Sequence, residues 1–128
     1  MGFSKSQTLI NFLYYKICKQ EVFDLWLEGY RNLIDVEDVY KICNYLMKNS
    51  ISCCETLNVA SPFTYSVVSI VSILEIYLNK KAIFVGVDRG KMYGIDVSSV
   101  SSYYESSGVY FDKNYLEDIL KKYFSDCC

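Results

Sequence analysis

A junction between a short strand and a helix, in the segment Tyr30–Val39, is the feature that most restricts how this chain can fold. The apolar residues Leu33 and Ile34 precede Asp35, and after Asp35 apolar residues recur every three or four positions. Aspartate is a favoured helix N-cap, because its carboxylate accepts backbone N–H bonds and suits the positive end of the helix. The segment therefore predicts a strand over residues 30–34, an N-cap at Asp35 and a helix over residues 36–48.

Arg31 lies at the start of that strand, and two interpretations of it remain open. A guanidinium presents a rigid fork of donors that fits phosphate or carboxylate oxygens, so an arginine in an ordered junction predicts an anion site. Alternatively, the neighbouring apolar residues are ordinary core residues, Asp35 is an ordinary cap, and Arg31 is a solvated charge on a strand edge.

Hydrophobic periodicity predicts one mixed α/β domain over residues 1–128, with about five helices and short strands. The other helices are predicted over residues 6–19, over residues 65–78 with Thr64 as N-cap, from Asp96 to about Gly108, and from Asp112 onward. The other strands are predicted over residues 22–27, paired with residues 30–34, over residues 56–60 and over residues 82–87. The predicted inward face of the helix over residues 36–48 consists of Val36, Val39, Tyr40, Cys43, Leu46 and Met47.

Charge and composition exclude several kinds of partner. The formal net charge is −2 and only two residues are arginines, so the chain offers no basic face and we expect no nucleic-acid partner. The longest apolar stretch, Val67–Leu78, is too short to cross a membrane and includes Glu75, so we expect no membrane partner and a buried helix. Thirteen tyrosines and seven phenylalanines indicate an aromatic-rich core and an interface that something else covers.

The six cysteines occur without any histidine and without a secretory signal at the N-terminus. We therefore expect reduced thiols in a cytoplasmic protein. The adjacent pairs Cys53-Cys54 and Cys127-Cys128 leave open a four-thiolate zinc site, although adjacent ligands differ from the usual two-residue spacing. They also leave open a regulatory thiol function.

Residues 31–39 read Arg-Asn-Leu-Ile-Asp-Val-Glu-Asp-Val, and further segments on both sides of them follow a family-like order. These segments are the helix and strand from Phe12 to Trp26, the segment Leu57–Ala60, the helix from Thr64, and Asp88-Arg89-Gly90 with Asp96. Together they resemble the C-terminal part of the extended short-chain dehydrogenases, which include the NAD-dependent epimerases and dehydratases of nucleotide sugars. In that family the segment similar to residues 31–39 reads Arg-Asp-Phe-Ile-His-Val-Asp-Asp-Val.

The resemblance implies a substrate-binding domain that recognises a nucleotide sugar. It implies that Arg31 binds the substrate diphosphate, that Arg89 offers this group a second cation, and that Leu25 and Trp26 pack near the nucleotide base. The chain departs from the family at Leu27, which stands where the family has glycine, and at Arg89, which no proline follows.

The cofactor-binding half of that family has no counterpart in this sequence. No glycine-rich turn opens an apolar helix. Two Tyr-x-x-x-Lys strings, Tyr15 with Lys19 and Tyr77 with Lys81, lie at positions other than the family's catalytic pair, and we expect neither to be catalytic. We thus expect this chain to bind no cofactor by itself, whereas NAD or NADP is implied for a full-length enzyme. The expected partners are a separate Rossmann domain or a second copy of the chain.

A different class of function is also open. The aromatic-rich surface is consistent with a non-enzymatic module that binds a protein, most simply another copy of itself. The two arginines distinguish the hypotheses, because only the substrate-binding hypothesis gives them a ligand.

Overall fold

The structure is a computed structural model that describes residues 8–49 and 57–124. Over these residues the chain is mixed α/β, as predicted, with four α-helices where about five were expected. The helices are α1 (Leu9–Cys18), α2 (Val36–Lys48), α3 (Val67–Leu78) and α4 (Tyr115–Tyr123), and the strands are β1 (Val22–Trp26), β2 (Tyr30–Asn32), β3 (Thr64–Ser66) and β4 (Ile83–Val87). None of the helices in the described ranges has the length and apolar run needed to cross a membrane.

Three of the helices begin at a side chain that accepts a backbone N–H bond. Thr8 caps α1, and Asp35 caps α2, which confirms the prediction for the junction. The predicted cap at Thr64 is wrong, because residues 64–66 form β3 and Ser66 caps α3. The β-branched and aromatic side chains at the first two of these positions favour a strand.

The four strands form two separate two-stranded sheets. β1 pairs with β4 in parallel, and β2 pairs with β3 in antiparallel orientation. The predicted pairing of residues 22–27 with residues 30–34 is therefore wrong. The Asn32 side chain donates to Ser61 O at 2.7 Å and accepts from Ser61 N at 3.0 Å, which holds β2 beside the segment that leads into β3. α3 connects β3 to β4 and so brings β4 back beside β1. A parallel pair requires such a crossover.

The strand predicted over residues 56–60 is wrong for residues 57–60, which have no regular secondary structure, and residue 56 lies outside the described ranges. The hydroxyl group of Tyr104 donates to Ala60 O at 2.7 Å and accepts from Ala60 N at 3.4 Å. A side chain thus occupies backbone groups that a neighbouring strand would otherwise bind.

The helix predicted from Asp96 to about Gly108 is also wrong, since this segment consists of turns around a 3-10 turn at Ser101–Tyr103. Serine and valine dominate residues 97–102, and both are weak helix formers. The last helix begins three residues later than Asp112, at Tyr115.

Buried apolar residues form two hydrophobic clusters in the described ranges. The larger core lies between α1, β1, α3 and α4 and includes Leu13, Leu25, Ile70, Leu74 and Leu120. The smaller core joins α2 to the turns that precede α4 and consists of Ile42, Leu46, Val100, Tyr104 and Val109.

The predicted inward face of α2 is only partly right. Leu46 is buried as expected, but Val36, Tyr40 and Met47 are exposed, whereas Ile42 is fully buried. Helical periodicity gives an apolar stripe but does not say which part of it contacts a neighbour. The smaller core contacts only the side of α2 that includes Ile42 and Leu46.

Candidate functional site

Arg31 lies on β2 and is exposed. Its Nη1 atom donates to the carbonyl oxygen of Tyr30 at 2.7 Å. No salt bridge among the described residues involves Arg31 or Arg89. The remaining donors of the Arg31 guanidinium are therefore free to contact an anion from solvent.

A cavity of about 270 Å³ adjoins Arg31. Its walls come from α1, from the end of β1 and the turn after it, from β2, and from the first residue of α3; the lining residues are Leu9, Phe12, Leu13, Asp24, Trp26, Gly29, Arg31 and Val67. The N–H group of Val67 donates to Gly29 O at 2.9 Å, which holds the start of α3 against the turn after β1. This backbone contact places the turn after β1 and the start of α3 together at the cavity.

The cavity lies along the carboxyl-terminal half of the parallel strand β1, from Asp24 to Trp26, and along the turn that follows it. The loops that follow β1 and β4 are joined by two backbone hydrogen bonds, from Leu27 N to Val87 O at 2.9 Å and from Glu28 N to Arg89 O at 3.1 Å. Ligands of open parallel α/β sheets bind outside the carboxyl ends of the strands. The cavity therefore lies near the end of β1 at which such ligands bind.

A glycine permits the close contact between these two loops. Gly90 has φ +97°, and a Cβ atom added to it would lie 2.6 Å from the backbone nitrogen of Gly29. Any other residue would be strained in this conformation and would collide with the neighbouring backbone. The loop that contains Arg89 consequently sits directly against Gly29, which lines the cavity.

The side chains that line the cavity supply three kinds of ligand contact. Trp26 is 43% exposed and, with Phe12, offers aromatic surface for a flat ring. Arg31 offers donors to an anion, and the exposed carboxylate of Asp24 offers acceptors to hydroxyl or amino groups. An apolar cavity with a few convergent polar groups is typical of a small-molecule site.

Two of the four residues that the resemblance singled out line this cavity, and two do not. Arg31 and Trp26 lie together in its wall. Leu25 is 1% exposed and belongs to the larger core, so its side chain faces the helices instead of the cavity. The backbone of Arg89 contacts the turn beside the cavity, but Arg89 is not one of the lining residues.

Asp24 and Phe12 line the cavity although the sequence argument did not select them. Alternation along β1 contains the signal for Asp24, because residues two apart on a strand lie on the same face and Trp26 follows Asp24 by two. No comparable signal exists for Phe12, which reaches the cavity only because α1 packs beside β1.

A second polar cluster joins the start of α2 to α4. Lys122 Nζ lies 2.7 Å from Asp35 Oδ2 and 2.6 Å from Glu37 Oε2, and Tyr123 OH donates to Asp35 Oδ1 at 2.5 Å. Burial by itself would raise the pKa of the Asp35 carboxyl, but hydrogen bonds from Lys122, Tyr123 and the Glu37 amide outweigh it and lower that pKa below its ordinary value. The two carboxylates in turn raise the pKa of Lys122.

Tyr115 extends this cluster. Its hydroxyl group accepts the Asp35 N–H bond at 2.9 Å and donates to Asp38 Oδ2 at 2.5 Å. Burial and the nearby Asp38 carboxylate raise the pKa of Tyr115. Because these polar groups bind one another, we assign the cluster to holding α4 on α2 and not to ligand binding.

The cysteines give no candidate site. Cys18 is disulfide-bonded, so the expectation of reduced thiols is wrong for this residue, whereas Cys43 is a free thiol. No group of three or more histidine, cysteine, aspartate or glutamate residues in the described ranges could hold a metal ion. The pairs Cys53-Cys54 and Cys127-Cys128, on which the zinc hypothesis rests, lie outside the described residues.

Comparison with known proteins found no matching family model, no matching curated protein and no matching solved structure. The function of the chain is therefore inferred from the geometry and chemistry of the cavity.

Proposed function

We propose that this chain is the substrate-recognition region of an NAD(P)-dependent nucleotide-sugar epimerase, dehydratase or reductase, and that it is inactive alone. The observation that supports the proposal is the shared cavity of Arg31 and Trp26 at the carboxyl end of β1. A guanidinium beside an indole ring matches a ligand in which a phosphate group is attached to a flat base.

The size of the cavity limits how much of the ligand it holds. Small-molecule pockets usually measure roughly 300–1,000 Å³, and this one, at about 270 Å³, lies just below that range. We therefore propose that it encloses the base and the nearest phosphate. The sugar extends toward a partner domain, which also holds the NAD or NADP and the catalytic groups.

The charges of the residues that line the cavity suggest that a bound diphosphate also needs the cation of Arg89. Asp24 and Arg31 carry opposite charges, so the lining of the cavity is formally neutral. A diphosphate bound there needs another cation, and Arg89 is on the loop that touches Gly29. We propose that the Arg89 side chain turns toward the diphosphate on binding.

A cytoplasmic location accompanies this proposal because nicotinamide cofactors are intracellular, although disulfides such as that of Cys18 are rare there.

Fluorescence titration tests the proposal directly. Trp26 is the only tryptophan of the chain, so its emission reports on the cavity alone. We expect UDP- or dTDP-sugars to change this emission in a saturable way. Arg31→Ala removes a charge-assisted contact worth roughly 1.5–3 kcal/mol and should weaken binding by about ten- to a hundredfold.

Matched variants make the titration specific. Lys41→Ala removes an exposed positive charge on α2 and should leave affinity unchanged, while Arg89→Ala should weaken diphosphate-containing ligands more than nucleoside monophosphates. Saturable binding that survives Arg31→Ala, or no binding by the unmodified chain at any ligand concentration, would refute the assignment of the cavity.

The exposed apolar residues of β1 and β4 favour a second candidate function, a non-enzymatic module that associates with itself. Val22, Trp26, Ile83, Phe84 and Val85 are large apolar residues that are all exposed on this one parallel pair. Parallel sheets are normally covered on both faces. Sedimentation velocity at increasing protein concentration tests this candidate, and a monomer at every concentration would contradict it.

A further inference from the structure

The outer edge of β4 lacks the protection that exposed strands usually have. Its residues Ile83–Val87 include no charged residue and no proline, and in the described ranges this strand pairs with β1 alone. Val85 at its centre is 56% exposed. Proteins normally protect an edge strand with charges, proline or a covering segment, because unpaired backbone groups bind another strand.

The open edge presents the backbone groups of two residues. The Leu27 N–H group donates to Val87 O, so the backbone groups of Val87 point toward β1. Successive residues of a strand direct these groups to opposite edges, and Phe84 and Gly86 therefore present theirs to the open side. The N–H group of Ala82, which would extend this series, already donates to Glu75 Oε2 at 2.9 Å.

We infer that the open edge of β4 binds the same strand of a second copy of this chain, in antiparallel orientation about a two-fold axis at Val85. This inference rests on the second proposal above, that the chain associates with itself. Two copies related by a two-fold axis pair the same strand with opposite polarity. Phe84 then lies opposite Gly86 of the partner subunit, and each of these two equivalent pairs exchanges two backbone hydrogen bonds.

The side chains fit this register. Phe84 lies opposite Gly86 of the partner subunit, which has no side chain to collide with the ring. Within each copy the Leu27 side chain lies 3.2 Å from the position of an added Gly86 Cβ atom. The Phe84 ring therefore packs beside Leu27 of the partner subunit. On the opposite face Val85 meets its own copy, and the apolar residues Ile83 and Val87 meet each other. Cross-strand pairs of β-branched and aromatic residues stabilise antiparallel pairing.

A closed dimer explains the edge better than a continued parallel sheet. Parallel pairing of β4 with β1 of another copy would leave an open edge at each end and would produce filaments. A symmetric pair of β4 strands consumes the open β4 edge of each copy and closes at two copies, because the interface uses the same strand on both sides. The paired segment is short, about 17 Å at 3.3 Å per residue, so we expect a reversible dimer whose population rises with protein concentration.

A charge exchange at the two-fold axis tests the register. In Val85→Lys two ammonium groups face each other, and in Val85→Glu two carboxylates do, so each variant should dissociate at least about ten times more readily than the unmodified dimer. An equimolar mixture of the two should recover dimers, because opposite charges then meet. Sedimentation velocity, with free thiols alkylated so that Cys43 cannot cross-link, measures all four samples.

Ile76→Lys is the matched control, since Ile76 is 77% exposed on α3 and lies outside the proposed interface. It should dimerise like the unmodified chain. Hydrogen exchange provides a second measurement, in which the Phe84 and Gly86 amides become protected as concentration rises. If the unmodified chain dimerises and neither Val85 variant weakens it, the β4 interface is refuted while self-association stands. If the unmodified chain stays monomeric, both are refuted.

Discussion

Asp35 has two structural roles, one with a neighbour in the sequence and one with residues of α4 that are distant in the sequence. Its carboxylate caps α2 through the Glu37 N–H group, and the same carboxylate binds Lys122 and Tyr123 of α4. The residue is 4% exposed, and a buried carboxylate is stable only when such donors surround it. Sequence pattern predicts the first role, whereas the second depends on α4 being folded against α2.

Replacing Asp35 should therefore cost more than the loss of a cap. We expect Asp35→Ala to lower the free energy of unfolding by about 2–4 kcal/mol, because the cap is lost and Lys122 loses a partner. Asp35→Asn, which can still cap, should cost less. Urea denaturation at neutral pH measures both. The control is Asp96→Ala, which removes an exposed carboxylate that accepts a local bond from the Ser98 N–H group but contacts no second helix. Equal costs for Asp35→Ala and Asp96→Ala would contradict the clamp between α2 and α4.

The same carboxylate predicts a dependence of stability on acid. The folded chain lowers the pKa of Asp35 below its ordinary value of 3.8, so the unfolded state binds a proton more readily than the folded state. The resulting stability is present above the ordinary pKa and is lost as pH falls through the folded pKa. Between pH 5 and pH 2, the unmodified chain should lose more stability than Asp35→Asn. Parallel pH profiles of the two proteins would rule this out.

At the scale of elements, loops decide which strands meet. The contact of Gly90 with Gly29 joins the ends of β1 and β4, and the hydroxyl group of Tyr104 binds the backbone that would otherwise form a strand at Ala60. Both contacts link residues more than 40 positions apart, as the 44-residue separation of Tyr104 and Ala60 illustrates. Local propensity contains no information about either contact.

Gly90→Ala tests the contact between the loops. An alanine at φ +97° is strained, and its Cβ atom would lie 2.6 Å from Gly29 N, so we expect a loss of roughly 1–3 kcal/mol in stability and a changed Trp26 emission spectrum. Gly94→Ala is the control, because an added Cβ atom there has no neighbour within 4 Å. Thermal unfolding compares the two, and identical melting temperatures would contradict the proposed contact.

Tyr104→Phe tests the contact with Ala60. The change leaves a buried carbonyl group without its donor and should cost roughly 1–3 kcal/mol. Tyr110→Phe removes an exposed hydroxyl group and should cost almost nothing, since Tyr110 lies mainly in solvent. Urea unfolding curves measure the difference. No difference would mean that water or another group satisfies Ala60.

At the scale of the molecule, two hydrophobic cores are connected by α4 and the residues before it. Leu116 and Leu120 belong to the larger core, while the Tyr115 ring lies 4.6 Å from that of Phe111, which packs against the smaller core. We expect this ring contact, together with the ion pair between Lys122 of α4 and Asp35 at the start of α2, to couple the stability of the two regions.

Ile42→Ala tests this coupling. The substitution empties a fully buried position in the smaller core and should cost about 2–4 kcal/mol. Because Trp26 lies beside the larger core, its fluorescence should show the same lowered urea midpoint as far-ultraviolet circular dichroism. Met47→Ala, at an exposed position of the same helix, is the control. A Trp26 transition that stays in place would show that the two cores unfold independently.

The sequence by itself determined the elements whose cause is local. The Asp35 cap and the exact span of α2 follow from capping chemistry and periodicity, as do the strands predicted over residues 22–27 and 82–87, each of which is one residue shorter in the structure. Arg31 was likewise identifiable as a donor at an ordered junction. The tertiary structure alone decided that β1 pairs with β4, that Asp24 and Phe12 join Arg31 at one cavity, and that Leu25 faces the core. These outcomes depend on contacts between distant residues, and a hydrophobic pattern specifies which side chains are buried without specifying against what.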